Sequence, residues 1–550
     1  MTKNDKKLEL TWFHKDKSLY YDQTKKEYLW VDKKDPRVSE PRILLEKESF
    51  GDKDSENILI KGDNLLALKA LLLDYHNKIK LIYIDPPYNT GNAFDLYDDG
   101  LEHSIWLTMM RDRLELLKQL LKSDGFICCH IDDSEGDYLK ILLDEVFGRV
   151  NHNATFYIRV RYPSKTLKSD MDYHKEIERI YIYGKSSAAK PILVQTESNL
   201  NKFNYYIEEL SEGEEITLAN KKVIVFKEGQ YKVKKGEGSE NGLKEIWASG
   251  TILDGNSSGR FFRDYIAGRY DKDGYGVLYK IYGIGDDKFD YRYFTGPKRV
   301  GATKGKYYQG VPMNQLTNGD KFRESPIENF YDLAASFGNC RQEGGVDFRS
   351  GKKPEKLLET IISHFSSAGD YVMDSFSGSG STGAVAHKMG RKWLMVELGD
   401  HAQTHIIPRL KKVISGVDQT GISKDVNWKG GGGFKYFELG DSLFVEDDDL
   451  RLTVLNPKVY NGALIRSVLK VEGFKLLHPD NGLHGISGRT IAHVTEQYLN
   501  QEYVEAVLRE VGDAADFLII YAKTISSKIK LPDNVEVRKI PDVLLRKFKV

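Results

Sequence analysis

Cysteine is scarce in this chain: three in 550 residues, two of them adjacent at Cys128 and Cys129. That count excludes a disulfide framework and offers no zinc-site spacing. The adjacent pair sits in an apolar run, where a free cysteine behaves as a small hydrophobe. No hydrophobic run approaches the roughly 20 residues of a membrane span, and "MTKNDKKLEL" at the N-terminus lacks the apolar core of a signal peptide. A cytoplasmic protein with no membrane partner is expected. Net charge is absent as well, since 81 Lys and Arg balance 81 Asp and Glu. The chain as a whole does not advertise a polyanionic partner, although a local patch can supply one. The phosphate-loop pattern Gly-x-x-x-x-Gly-Lys-Ser/Thr does not occur, which removes the usual ATP-driven motor.

What is present begins at "LIYIDPPYNTGN", residues 81–92. Leu81 to Ile84 is apolar and β-branched without alternation, the pattern of a strand covered on both faces of a parallel sheet. Pro86 and Pro87 stop the strand, because neither can donate to a ladder. Ligands in open α/β sheets bind beyond the carboxyl ends of strands, which is where Asp85 to Tyr88 falls. A capped turn would account for Asp-Pro alone. The full tetrapeptide suits a particular task, the exocyclic amine of a nucleic-acid base. A carboxylate and a rigid carbonyl, Asp85 and Pro86, can accept the amine's two N–H bonds. The ring of Tyr88 can stack on a base turned out of its duplex.

A second signal lies at "DYVMDSFSGSGSTGAVAHKMGRKWLMVELGD", residues 370–400. A short strand ends at Asp374, glycines follow at 378, 380 and 383, a helix runs to about Met389, and a second strand ends at Glu397. Small residues admit a ligand to the backbone, a helix N-terminus offers N–H groups, and Glu397 can accept two ribose hydroxyls. On its own the loop also fits a dinucleotide fingerprint, and thus a nicotinamide oxidoreductase.

Taken together, Asp85-Pro86-Pro87-Tyr88 and the 374–383 loop resemble the catalytic motif and the S-adenosyl-L-methionine loop of the amino-group DNA methyltransferases. The aspartate-initiated form is typical of adenine N6 enzymes, and cytosine N4 is the alternative. The resemblance implies that Asp374, Phe376, Gly378, Gly380, Thr382 and Glu397 hold the donor, that Asp63 lies near its adenine, and that Lys353 and Pro354 flank its methionine part. It implies no metal and no covalent intermediate, and no Pro-Cys nucleophile is present. The catalytic strand precedes the donor loop by 289 residues (374 minus 85), an order that resembles the β group. The expected fold is therefore α/β: a Rossmann-like methyltransferase sheet, circularly permuted, seven-stranded, with an inserted target recognition domain and a C-terminal α+β extension. Strands are expected at "NILIKGD", "GFICCHIDD", "NATFYIRV" and "IERIYIYG" besides the three already named. Pro354 is expected in the first turn of the 351–365 helix.

Further stretches, among them "LTWFHKDK", "HSIWLTMMRDRLELLKQLL" and "WKGGGGFKYFEL", are similar to the modification subunit of type III restriction-modification systems across most of residues 8–440. Trp106, Leu107, Met110, Leu114 and Leu117 read as the buried face of a helix, and glycines 430–433 as a flexible join. The expected domains are 1–50, an N-terminal extension; 51–183, the catalytic half; 184–345, target recognition; 346–433, the donor half; and 434–550, assembly. Within 288–309, six Lys or Arg are interleaved with six aromatics, a composition suited to phosphates and splayed bases; Arg292, Lys298, Arg299, Lys304 and Lys306 are the candidates. The acidic cluster Glu446 to Asp449 reads as a solvated loop. Double-stranded DNA, a second copy of the chain and an ATP-dependent restriction subunit are the implied partners. An orphan methyltransferase and an idle DNA-binding subunit are the alternatives.

Overall fold

In the computed structural model the described residues are 9–22, 27–39, 42–89, 102–163, 173–197, 200–248, 257–302, 304–313, 322–348, 351–441, 444–447, 452–455, 463–477 and 483–540. They belong to two compact units, one of residues 1–192 with 328–550 and one of residues 193–327.

A ten-stranded sheet organises the first unit. Its strands in chain order are β1 (Leu44–Gly51), β2 (Ile58–Lys61), β3 (Ile79–Ile84), β4 (Leu121–Ile131), β5 (His152–Arg159), β6 (Ile177–Gly184), β7 (Phe330–Asp332), β8 (Tyr371–Asp374), β9 (Lys392–Glu397) and β10 (Gly433–Leu439). Across the sheet they run β7-β5-β6-β4-β3-β8-β9-β2-β10-β1. The six from β4 to β10 are mutually parallel, while β6 is antiparallel to both of its neighbours. Helices α1 (Asn64–Tyr75) and α2 (His103–Leu120) cover one face. Trp106, Leu107, Met110, Leu114 and Leu117 pack there with Leu65, Leu68 and Leu71 and with Ile82 and Ile84 of β3. Leu81 and Tyr83 alternate to the other face. There Phe126, the register partner of Leu81, meets Phe365 of α3 (Glu355–Phe365) at 4.8 Å between ring centroids. Burial on both sides is why β3 reads as an unbroken apolar run.

Seven of these strands, β2 to β6 with β8 and β9, are those expected from the sequence. The other three come from segments assigned elsewhere: β1 from 1–50, β7 from 184–345 and β10 from 434–550. β1 closes one edge of the sheet, and its Glu46, Lys47 and Glu48 are exposed, as charge on an edge strand discourages further pairing. The second unit is accordingly narrower than 184–345. Glycines 430–432 do not form a flexible join: all three have positive φ, the Gly431 N–H donates to the Ile414 carbonyl at 2.8 Å, and the Gly432 carbonyl accepts from Asp52 at 3.1 Å. A Cβ on Gly432 would lie 2.8 Å from the His387 ring, so the turn that feeds β10 requires glycine. Pro354 stands at the N-cap of α3 rather than inside its first turn.

Residues 463–540 form a five-stranded sheet with helices on both faces. Helix Ala463–Glu472 packs on Ala492, Val494, Ile519 and Tyr521, and helix Gln501–Val511 on the alternate residues Ile491, Leu518 and Ile520. Strands Thr490–Leu499 and Phe517–Ile525 are parallel and joined through the second helix, while the strands before them pair antiparallel, so the sheet is mixed. Among the described residues no helix is long and apolar enough to cross a membrane. Asp448 and Asp449 of the acidic cluster lie outside the described residues.

The second unit has a six-stranded antiparallel sheet in the order Glu214–Leu218, Lys221–Phe226, Leu278–Tyr282, Tyr291–Thr295, Gly305–Gln309, Lys244–Ala248. Phe261, Phe262 and Ile266 cover one face against Tyr279, Phe294 and Tyr307. The antiparallel pair Tyr205–Glu209 and Tyr231–Lys235 covers the other, over Tyr293 and Tyr308.

Candidate active site

Parallel pairing ends β3, β8, β9 and β2 on a single edge of the sheet. Asp85, Asp374, Glu397 and Asp63 therefore line that edge in this spatial order, although sequence order begins with Asp63. Strands β3 and β8, which lead into the Asp85 turn and the glycine loop, are immediate parallel neighbours.

The Asp85-Pro-Pro-Tyr88 turn is held from several sides. The Trp106 indole N–H donates to the Pro87 carbonyl at 2.8 Å. Asn89, with φ +57°, donates to the buried Glu135 carboxylate at 2.6 Å, which the His103 ring also meets at 2.9 Å. Lys353 reaches the motif from the segment before α3. Its ammonium lies 3.1 Å from Asp85 Oδ1, 2.7 Å from the Tyr88 hydroxyl and 3.4 Å from Glu178 Oε2. At 4.7 Å from the ring centroid it sits at the hydroxyl end of Tyr88, not over the ring face.

Behind Lys353 stands a pair that the sequence reading missed. Glu178 Oε2 accepts from the Tyr88 hydroxyl at 3.0 Å and lies 2.8 Å from His130 Nε2, while His130 Nδ1 lies 2.8 Å from the Tyr83 hydroxyl. Burial would raise the Glu178 carboxyl, but the Lys353 charge and the bonds from His130 and Tyr88 hold it well below the usual carboxylate range. Burial likewise would lower Lys353, and Asp85 and Glu178 more than offset it, so the ammonium is favoured. Burial, with the charges of Asp85 and Glu178, raises the Tyr88 phenol well above its ordinary value. The signal available in the sequence was an acid, followed by Arg179, at the start of the strand "IERIYIYG" that is otherwise uncharged.

Around the glycine loop, Asp374 accepts from the Phe376 N–H at 2.9 Å and the Thr382 hydroxyl at 2.5 Å. Burial, reinforced by the charges of Asp85 and Glu397, pushes its carboxyl up to about 7. Glu397 accepts from the Gly378 N–H at 2.7 Å and the Gly399 N–H at 2.9 Å, and His401 lies 2.9 Å away. Gly380 is left-handed at φ +75° and caps α4 (Ser381–Lys388); a Cβ on Gly383 would lie 2.4 Å from Met395. The loop rests on buried charges: Arg409 donates to Ser381 Oγ at 2.7 Å and pairs with Glu355, which also pairs with Lys388. Asp63 caps α1 through the Leu66 N–H and pairs with Arg113 at 3.1 Å, and its neighbour Asn64 donates to the Ser375 carbonyl. Phe376 is mostly buried in the core beneath α1 and α2.

The structure thus brings Asp63, Asp374, Phe376, Gly378, Gly380, Thr382 and Glu397 around one loop. Lys353, expected beside the methionine part of the donor, stands at the Asp85 motif, where two carboxylates hold its ammonium. Among the described residues no group of three or more His, Cys, Asp or Glu is placed to hold a metal ion. In the second unit Arg292 is a correction. It is buried, pairs with Asp287 at 2.7 Å and donates to Ser258, which makes it a core ion pair and no surface contact. Lys306 is half-buried and pairs with Glu245. Lys298, Arg299 and Lys304 are exposed in the turn between Tyr291–Thr295 and Gly305–Gln309.

A family model described as DNA methylase matches residues 79–407. The chain is 35% identical over 434 residues to a "Probable type III restriction-modification enzyme HindVI Mod subunit" of Haemophilus influenzae, covering 70% of this chain and 54% of that one. It is 38% identical over 168 residues to the type III restriction-modification enzyme EcoPI Mod subunit of Escherichia phage P1, covering 24% and 25%. It is 46% identical over 99 residues to the type II methyltransferase M.EcaI of Enterobacter cloacae, covering 17% and 22%. The match thus spans about half or less of the length of these relatives.

Proposed function

Because the chain belongs to the DNA methylase family, we propose that it transfers a methyl group from S-adenosyl-L-methionine to adenine N6 in double-stranded DNA, as the modification subunit of a type III restriction-modification system. Family membership removes the dinucleotide reading of the glycine loop. The observation that carries the reaction is the adjacency of β3 and β8, which sets the Asp85 turn beside the Asp374 loop. Similarity to the two Mod subunits supports the type III assignment.

The residues present fit the donor: a glycine loop with left-handed positions, a buried acid at the end of the next strand, and Asp63 beside them. When bound, S-adenosyl-L-methionine supplies an electrophilic methyl group on sulfur. In this reading Glu397 accepts its ribose hydroxyls, and Asp374, Phe376, Gly378, Gly380 and Thr382 form the cradle. Asp85 and the Pro86 carbonyl accept the two N–H bonds of the flipped adenine, turning the nitrogen lone pair toward the methyl carbon, and Tyr88 stacks on the base. The reading also makes the sheet a circular permutation of the family's usual order, residues 193–327 the target recognition domain, and Lys298, Arg299 and Lys304 its phosphate contacts. Residues 463–540 then serve assembly into a cytoplasmic homodimer that a separate restriction subunit joins.

Modification-sensitive long-read sequencing of DNA from cells expressing this chain alone tests the proposal. N6-methyladenine on one strand of a single short motif is the expected result. Modified cytosine would overturn the base assignment, and no modified base under verified expression would favour an idle DNA-binding subunit.

A further inference from the structure

We propose that Glu178 is a positioning residue for the transfer step: it shares the Lys353 ammonium with Asp85 and so keeps Asp85 and Tyr88 set for the target base. The inference rests on the methyltransferase reading above and deepens it. It starts from topology. Strand β6 runs antiparallel to β4, so its first residues arrive at the edge where the parallel strands deliver their last. Glu178 therefore faces the Asp85 turn although its strand belongs to the far half of the sheet.

Lys353 has three partners here: it forms an ion pair with Asp85 and donates to the Tyr88 hydroxyl and to Glu178. With Asp85 as its sole carboxylate, Lys353 would close a neutral ion pair on the group that the target amine needs. With Glu178 present, two carboxylates against one ammonium leave one negative charge in the pocket. Methyl transfer moves positive charge onto the exocyclic nitrogen, and a fixed negative charge beside it stabilises that change without rearrangement. Glu178 is itself fixed. The fully buried His130 ring stands against it, with Nε2 2.8 Å from Glu178 Oε2 and Nδ1 2.8 Å from the Tyr83 hydroxyl. The Tyr88 hydroxyl, which donates to the same Glu178 oxygen, sets the plane in which its ring meets a base.

The test compares native chain, Glu178→Gln, Glu178→Asp, Lys353→Met and the Glu178→Gln/Lys353→Met double variant in single-turnover methyl transfer from tritiated donor to mixed-sequence DNA. Donor affinity is measured in parallel by calorimetry. Glu178→Gln should transfer about 10- to 100-fold more slowly with donor affinity within about twofold of native, and the charge-retaining Glu178→Asp should recover part of the rate. Since Glu178 acts through Lys353, the double variant should fall within about threefold of Lys353→Met alone. A native rate in Glu178→Gln, losses that multiply in the double variant, or donor affinity falling in step with rate would each overturn the proposal. If Glu178→Gln loses its cooperative thermal transition, Lys353→Met carries the test: slower transfer at unchanged donor affinity supports the proposal, and a native rate overturns it. If the native chain itself transfers no methyl group, the methyltransferase reading fails and this proposal falls with it.

Discussion

The Lys353 ammonium lies 2.7 Å from the Tyr88 hydroxyl across 265 positions of sequence. The contact joins the segment before α3 to the turn that follows β3, and it separates two properties of one tyrosine. Tyr88→Ala removes both ring and hydroxyl and should cost on the order of 1 to 3 kcal/mol in transfer, the scale of one base stacked on one ring. Tyr88→Phe keeps the ring and loses the hydroxyl's two partners, so its rate should lie between native and Tyr88→Ala. Equal rates for the two variants would show that stacking is not what Tyr88 provides.

If Asp85 acts on the amine and not on the donor, as proposed, Asp85→Ala should abolish transfer and leave donor affinity within about twofold of native. Tritium transfer at the native rate would remove Asp85 from the chemistry.

For Glu397, calorimetry should show donor binding weakened by roughly 1 to 3 kcal/mol in Glu397→Ala, the range for lost hydrogen bonds to a charged group. The Gly378 N–H also loses its acceptor, so the loop should loosen, with faster amide exchange at Gly378. Unchanged affinity would place the ribose elsewhere.

Arg292 and its exposed neighbours should behave oppositely. Arg292→Ala leaves Asp287 buried without its charge partner and should destabilise residues 193–327 by about 3 to 5 kcal/mol, read as a lowered thermal midpoint. The triple variant Lys298→Ala, Arg299→Ala, Lys304→Ala should keep the native midpoint, bind DNA more weakly and show a shallower salt dependence. An unchanged salt slope would exclude that turn as a phosphate contact.

Asp374 supplies a pH signature. Its carboxyl is raised by burial to about 7, so between the unfolded value of about 3.9 and about 7 the folded chain holds a proton that the unfolded chain has lost. Stability from this group is therefore full at low pH and lost as pH rises through that window. Asp374→Asn mimics the protonated form and escapes the loss, so its thermal midpoint should gain on the native one between about pH 4 and about pH 7 and level off above. A constant difference would show the carboxyl to be unshifted.

Strands buried on both faces were legible because two-sided burial leaves an unbroken apolar run, as in Leu81 to Ile84. β1 was not, since an edge strand carries Glu46, Lys47 and Glu48 and reads as solvent-facing chain. The turn at glycines 430–432 shows the same limit from the other side: a glycine run looks loose in sequence, and here positive φ and close neighbours make it tight.

By itself the sequence determined the local chemistry: a strand that proline must end after Asp85, a glycine loop between two strands ending in acids, and the seven interior strands that bring them onto one sheet. Such features depend on neighbours along the chain, which composition and spacing record. Tertiary structure alone decided which charges meet. Lys353 joined Asp85 and Glu178, Arg292 turned inward to Asp287, and Glu178 reached the site from an antiparallel strand. Charge acts through space and is scaled by burial, and neither the partner's distance nor the surrounding dielectric is written in the order of residues.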